Sequence, residues 1–247
     1  MNAYIYDDFL NKSRYRRAIN RVEIRLTDLG LNGKIIRLGA IKNIKDVIQA
    51  EMKNGIKNII AVGNNETVNK VVSSMIANKT YGFFQKDVLF SIIPIGGNNS
   101  IAHSFGIKKE EDACNILLAR RVQKIDVAYA GNNIFLNKAE LFSNDAVVEI
   151  DDDYHLELNR KANIKIININ DDNYLAFKNK IDSNDNNLNL IVSGRNQDNT
   201  FITSKHIKIN GTGELILDET ISVPMPTEIG IIEQKINVIV GKDRSFN

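Results

Sequence analysis

Residues 59–69 read Ile-Ile-Ala-Val-Gly-Asn-Asn-Glu-Thr-Val-Asn: an apolar strand, a sharp turn at Gly63, then the start of a helix. In an α/β protein a phosphate commonly sits at such a turn. The helix N-terminus offers unpaired N–H groups and about half a positive charge, and glycine lets the backbone approach an anion closely. Here Gly63 is followed by Asn64, Asn65 and Glu66, where a phosphate loop carries more glycine, and then by Thr67. A second turn follows Ile92-Ile93-Pro94-Ile95 and reads Gly96-Gly97-Asn98-Asn99-Ser100. Either turn alone is an ordinary strand-to-helix connection. Two of them, about thirty residues apart, form a more specific pattern.

The elements that must position these turns are legible from periodicity. Ala3–Tyr6, Lys34–Leu38, Lys57–Val62 and Val88–Ile93 read as strands. Between and after them, Ser13–Leu29, Asn43–Asn54, Asn65–Ala77 and Glu110–Arg121 have helical spacing of apolar residues. Strands separated by helices imply a parallel sheet with right-handed crossovers, and ligands bind such sheets beyond the carboxyl ends of the strands. After about Arg121 the pattern changes. Val122–Ala130, Asn133–Asn137, Asp145–Ile150, Tyr154–Asn159, Asn163–Ile169, Leu188–Val192, Phe201–Ile209, Gly213–Leu217 and Lys235–Val240 are short and strand-like, with turns rich in Asn, Asp and Gly between them. That style predicts an antiparallel sandwich or barrel. The fold class is therefore α/β followed by all-β: an α/β domain over 1–121 and a β-sandwich over 122–247, with the last strand closing back toward the first domain.

Bulk properties narrow the function classes. The 247 residues suffice for one large domain or two ordinary ones, and 43% hydrophobic residues can fill real cores. A net charge of +2 gives no electrostatic case for nucleic acid. The lone Cys114 excludes an intramolecular disulfide and fits a reducing cytoplasm. The start MNAYIYDDFL, with acids at Asp7 and Asp8, does not read as a signal peptide, and nothing approaches an apolar span long enough for a membrane. Lys12, Arg14, Arg16, Arg17, Arg21 and Arg25 crowd the first helix; this is either a solvated face or a patch for peripheral contact with an anionic membrane. His103, His155 and His206 lack metal-ligand spacing, and Asp151-Asp152-Asp153 reads as a hairpin turn more readily than a calcium loop.

The two turns and the β-rich second half resemble the diacylglycerol kinase catalytic-domain family, which includes bacterial lipid kinases and sphingosine kinases. That family has Gly-Gly-Asp-Gly-Thr, any residue, then Asn-Glu-Val; here Gly63-Asn64-Asn65-Glu66-Thr67, Val68 and Asn69-Lys70-Val71 stand in that frame. The family's Pro-Leu-Gly-Thr-Gly-Asn-Asp followed by Ala-Arg is matched by Pro94-Ile95-Gly96-Gly97-Asn98-Asn99-Ser100 and Ala102-His103. Ile125-Asp126-Val127 fits the family's Ile-Asp-Leu, and Asp218-Glu219-Thr220 falls where it has Asp-Gly-Glu. An Asn-Pro after the first strand is replaced by Asp7-Asp8-Phe9.

The resemblance implies ATP held between the glycine motifs (Gly63, Asn64, Asn65, Glu66, Thr67, Gly96, Gly97, Asn98, Asn99), Mg²⁺ on Asp126 and Asp218, and a lipid or small-molecule acceptor. Phosphoryl transfer needs a cation on the phosphates and a base for the acceptor proton. The family's motif Asp is Asn65 here, an amide without the charge a hard cation wants, and its base position is Thr220, a poor base at neutral pH. Asp218 survives, and a one-residue shift would bring Glu219 into the base role. Glu66 falls in the first helical turn, where a carboxylate stabilises by about 0.3–1 kcal/mol and repels a phosphate. The expectation is that it replaces the phosphate internally. The first reading is thus a divergent lipid kinase-like protein with weak or no kinase activity. The alternatives are an active ATP- and Mg²⁺-dependent lipid kinase with a rebuilt site, or an NAD kinase-like enzyme.

Overall fold

The computed structural model describes residues 1–39, 43–77, 88–158, 161–169, 181–194 and 199–246. The chain divides into two compact units: Met1–Ile125 with Ile236–Arg244, and Asp126–Lys235 with Ser245–Asn247.

The first unit is built on a parallel sheet. Strand β1 (Asn2–Tyr6) lies between β2 (Gly33–Arg37) and β3 (Asn58–Gly63), and β3 pairs with β4 (Leu89–Pro94), all parallel. The final strand β16 (Thr227–Ile239) joins β4 in parallel through Asn237 and Val238. Strands β3 and β4 are buried along their whole length, as the apolar run Ile59–Val62 and the pairs Leu89-Phe90 and Ile92-Ile93 around a buried Ser91 require when both faces are covered. Helices α1 (Arg16–Asp28), α2 (Ile44–Lys53), α3 (Asn65–Ile76) and α5 (Glu110–Ala119) cover it, with the short α4 (Ser100–Ser104) after the second glycine turn. Helix α1 buries the stripe Ile19, Val22 and Leu26, spaced three and four residues apart as an amphipathic helix demands. Helix α3 starts at Asn65, immediately after β3, so the Gly63 turn sits at the carboxyl end of that strand.

The second unit is antiparallel. One sheet has the order β12 (Thr200–Ser204), β11 (Leu188–Gly194), β10 (Ala162–Ile167), β7 (Lys138–Ser143), β14 (Glu214–Leu217), β15 (Ile221–Pro224). The other pairs β13 (His206–Asn210) with the first part of β16 and with β8 (Val147–Ile150), which continues to β9 (Tyr154–Glu157); β5 (Val122–Ala130) forms a hairpin with β6 (Asn133–Phe135). Inward residues of both sheets, among them Leu141, Ile164, Leu190, Leu215, Val148 and Ile207, form one core. The expected fold class, an N-terminal parallel α/β domain followed by an antiparallel β domain, is the one observed.

Three local expectations differ. Phe201–Ile209 is not one strand: the chain leaves one sheet at Ser204 and joins the other at His206. Asp151 Oδ1 holds the break, accepting from Lys205 N at 3.0 Å and His206 N at 2.8 Å. Gly211-Thr212-Gly213, whose two glycines predict a hairpin turn, instead links β13 and β14 in different sheets. Strands β7 and β15 and the first part of β16 are additional to those expected; β7 and β15 alternate polar and apolar residues over only about four positions, Lys138–Leu141 and Ile221–Pro224, too short a run to stand out. Asn159, the expected end of β9, lies outside the described residues. No helix among the described residues is long and apolar enough to cross a membrane.

Candidate functional site: the two glycine turns

Asn64 is the N-cap of α3. Its side chain accepts from Thr67 N at 3.2 Å, and Thr67 Oγ1 accepts from Asn64 N at 3.3 Å, a reciprocal capping box. Asn65 N donates to Asn98 O at 2.8 Å. The first-turn N–H groups of Asn65 and Thr67, which a phosphate would need, already have acceptors within the protein. A Cβ on Gly63 would collide with the Thr67 side chain, so glycine is required for the turn to close on Thr67.

Asn65 is buried and joins the two turns. Its Nδ2 donates to Ser100 Oγ at 2.8 Å and its Oδ1 accepts from Ile101 N at 3.2 Å, satisfying the first turn of α4. The amide serves both contacts with one donor and one acceptor, which an ionised carboxylate lacks.

Glu66, expected to stand in for a phosphate, is held along the helix instead. Its carboxylate is half-exposed and pairs with Lys70 Nζ at 2.8 Å, four residues along the helix. The buried acid at this turn is instead Asp7, just beyond β1. Thr67 Oγ1 donates to Asp7 Oδ2 at 2.8 Å, and Lys70 Nζ lies 3.7 Å from the same oxygen. Sequence analysis gave Asp7 no role at the site; nothing local in the sequence links it to Thr67.

At the second turn, Asn99 Nδ2 donates to Gly96 O at 2.8 Å and Asn98 adopts a left-handed φ of 55°. Gly96 has a φ of 107° and lies against the ring of Phe9, where a Cβ would come within 3.1 Å. Phe9 and Tyr15 stack edge to face, and the Arg14 guanidinium sits 4.6 Å from the Tyr15 ring centre. Beside Gly96 and Gly97 is an open depression of about 520 Å³, whose wall includes Arg14, Lys108 and Lys109. Glu110 also borders it, but Arg21 holds that carboxylate at 2.6 Å. This cup presents cations and an open glycine backbone, chemistry that suits an anion.

The remaining expected site residues lie in the second unit. Asp218 is fully buried: Oδ2 accepts from Leu136 N at 2.8 Å, and Oδ1 from Asn137 N at 2.9 Å and Lys138 N at 3.1 Å. Glu219 is partly exposed, and its carboxylate is 3.6 Å from Lys138 Nζ. Both residues have positive φ, 45° and 64°, in the turn closed by Thr220 N donating to Leu217 O at 2.9 Å. Asp126, also fully buried, pairs with Lys235 Nζ at 2.8 Å and accepts from Asn186 N at 2.8 Å. Asn168 Nδ2 bridges Asp126 O and Leu136 O at 3.1 and 2.7 Å.

Magnesium therefore does not fit the residues proposed to hold it. The Asp218 oxygens are engaged by backbone N–H groups, those of Asp126 by a lysine and an N–H, and position 65 is an amide. A hard cation needs free anionic oxygens. Among the described residues no cluster of His, Cys, Asp or Glu has the form of a metal site.

Residues 4–130 match the family model described as the diacylglycerol kinase catalytic domain. The chain belongs to this family. Crystal structures agree at the level of fold. A diacylglycerol kinase from Bacillus anthracis str. Sterne superposes with a TM-score of 0.77 at 15% identity, covering 98% of this chain and 97% of that one. A putative diacylglycerol kinase from the same organism gives 0.75 at 15% identity, with 98% of each chain covered. An NAD kinase from Archaeoglobus fulgidus, solved in complex with ATP, gives 0.60 at 11% identity, covering 99% of this chain and 95% of that one. A search of curated proteins returned no match.

Proposed function

We propose that this chain is a diacylglycerol kinase family member without efficient phosphoryl transfer, which binds a nucleotide or another phosphate-bearing ligand weakly. Asn65 is the observation that carries this reading. At the position of the family's motif Asp it is buried, and both ends of its amide are used to fasten one glycine turn to the other. A strut of this kind supplies neither charge for a cation nor a group that can reorganise around a triphosphate. The commitments of Asp126 and Asp218 support the same reading, as does Thr220 at the expected base position. Binding capacity is supported by the cup beside Gly96 and Gly97, with Arg14, Lys108 and Lys109 on its wall. Lysine and arginine there attract phosphate oxygens without any metal.

The test is turnover and ligand-dependent melting on the purified chain. A ligand at 100 times its dissociation constant stabilises by about 2.7 kcal/mol. The expected result with millimolar Mg·ATP is a small rise in melting temperature, with no phospholipid formed from diacylglycerol in mixed micelles. Steady phosphorylation of diacylglycerol, or of NAD, overturns the proposal.

A further inference from the structure

We infer that Asp7 is a built-in anion of the Gly63 turn, and that its carboxylate excludes polyphosphate from the N-terminus of α3. This deepens the reading above by naming a residue that determines what the first glycine turn rejects.

The backbone places Asp7 there. Its N–H donates to Val62 O at 3.3 Å, setting it beside the last residues of β3 before the turn. The side chain is 9% exposed, and its Oδ2 accepts from the Thr67 hydroxyl. Thr67 itself is fully buried and belongs to the capping box of α3. One strand's carboxyl end thus delivers a negative charge to the positive end of a helix that starts from another strand.

Two carboxylates lie near this turn, and burial decides between them. Glu66 has a side chain 53% exposed and already paired with Lys70, so water and salt screen it. Asp7 is shielded by protein on nearly every side, where a charge acts over a longer range. Lys70 is shared between the two, closer to Glu66 at 2.8 Å than to Asp7 at 3.7 Å. Incoming phosphate oxygens would meet an incompletely neutralised carboxylate, and would find the Asn65 and Thr67 N–H groups already held by Asn98 O and the Asn64 side chain.

The experiment is calorimetric titration of inorganic triphosphate into the full chain, with no lipid acceptor and at low salt. Asp7→Asn keeps an oxygen for the Thr67 hydroxyl and removes the charge. It is expected to tighten triphosphate binding by about tenfold or more, while Glu66→Gln changes it by less than about twofold. Melting curves establish that each variant is folded, and Asp7→Ser supplies the same comparison where the amide variant does not fold. Triphosphate binding no tighter in the Asp7 variants than in the parent, or a larger gain from Glu66→Gln, overturns the inference. Its failure is distinct from failure of the proposed function, which is read from turnover by the unmodified chain.

Discussion

Asn65 Nδ2 donates to Ser100 Oγ at 2.8 Å, joining residues that are thirty-five positions apart and belong to the two glycine turns. With Asn65 Oδ1 accepting from Ile101 N, the same side chain completes the first turn of α4. Replacing Asn65 by Ala would leave a buried N–H and a hydroxyl without partners. The expected cost is about 1–3 kcal/mol of unfolding free energy, measured by urea denaturation. A loss below about 0.5 kcal/mol would mean that the bridge contributes little.

Asp218 is expected to act on stability. In Asp218→Asn, one oxygen still serves Asn137 N and Lys138 N, but the new NH₂ group faces Leu136 N–H, donor against donor. A loss of roughly 2 kcal/mol is expected in chemical denaturation. The melting temperature of the unmodified chain should also be insensitive to millimolar Mg²⁺ alone.

Glu219 gives the opposite sign. Its φ of 64° follows another left-handed residue, Asp218, in a tight turn that favours glycine. The Glu219 end of its contact with the buried Lys138 is exposed, and Lys138 Nζ keeps Glu140 at the same 3.6 Å when Glu219 is removed. Glu219→Gly should therefore stabilise the fold by about 0.5 kcal/mol, the relief of strain exceeding the added freedom of the unfolded chain. Thermal unfolding at neutral pH reads this directly.

Cys114 provides a pH prediction. Burial pushes its thiol from 9.0 up to about 11, against the lowering pull of Arg25. Between those values the unfolded thiol ionises while the folded one stays protonated, so the unfolded state binds fewer protons. Stability from this group is intact below pH 9 and falls as pH rises toward 11. Native protein should resist alkylation at pH 8, and the thiol should react when the chain is unfolded. Rapid native-state alkylation would contradict the burial of Cys114.

Much of the fold was legible because its signals are local. The run Ile59–Val62 and the segment Val88–Ile93, apolar but for Ser91, are too apolar for exposed strands, and the spacing of Ile19, Val22 and Leu26 repeats with the turn of a helix. The sheet switch at Lys205 was not legible, because it depends on the carboxylate of Asp151, more than fifty residues earlier. Strand β7 was hidden because its alternation, Lys138-Ala139-Glu140-Leu141, lasts only four residues before Phe142 breaks it, yet pairing with β10 and β14 settles its place.

The same division holds at the glycine turns. Sequence alone determined where they fall, since a strand, a glycine and a helix start are fixed by neighbouring residues, and it determined that an amide stands at position 65. Tertiary structure decided what each polar group meets: Glu66 turned to Lys70, Asn65 to Ser100, and Thr67 to Asp7, sixty residues away in the chain. Backbone conformation is governed by adjacent residues, whereas the partner of a charge or an amide is whatever group folding brings within three ångströms of it.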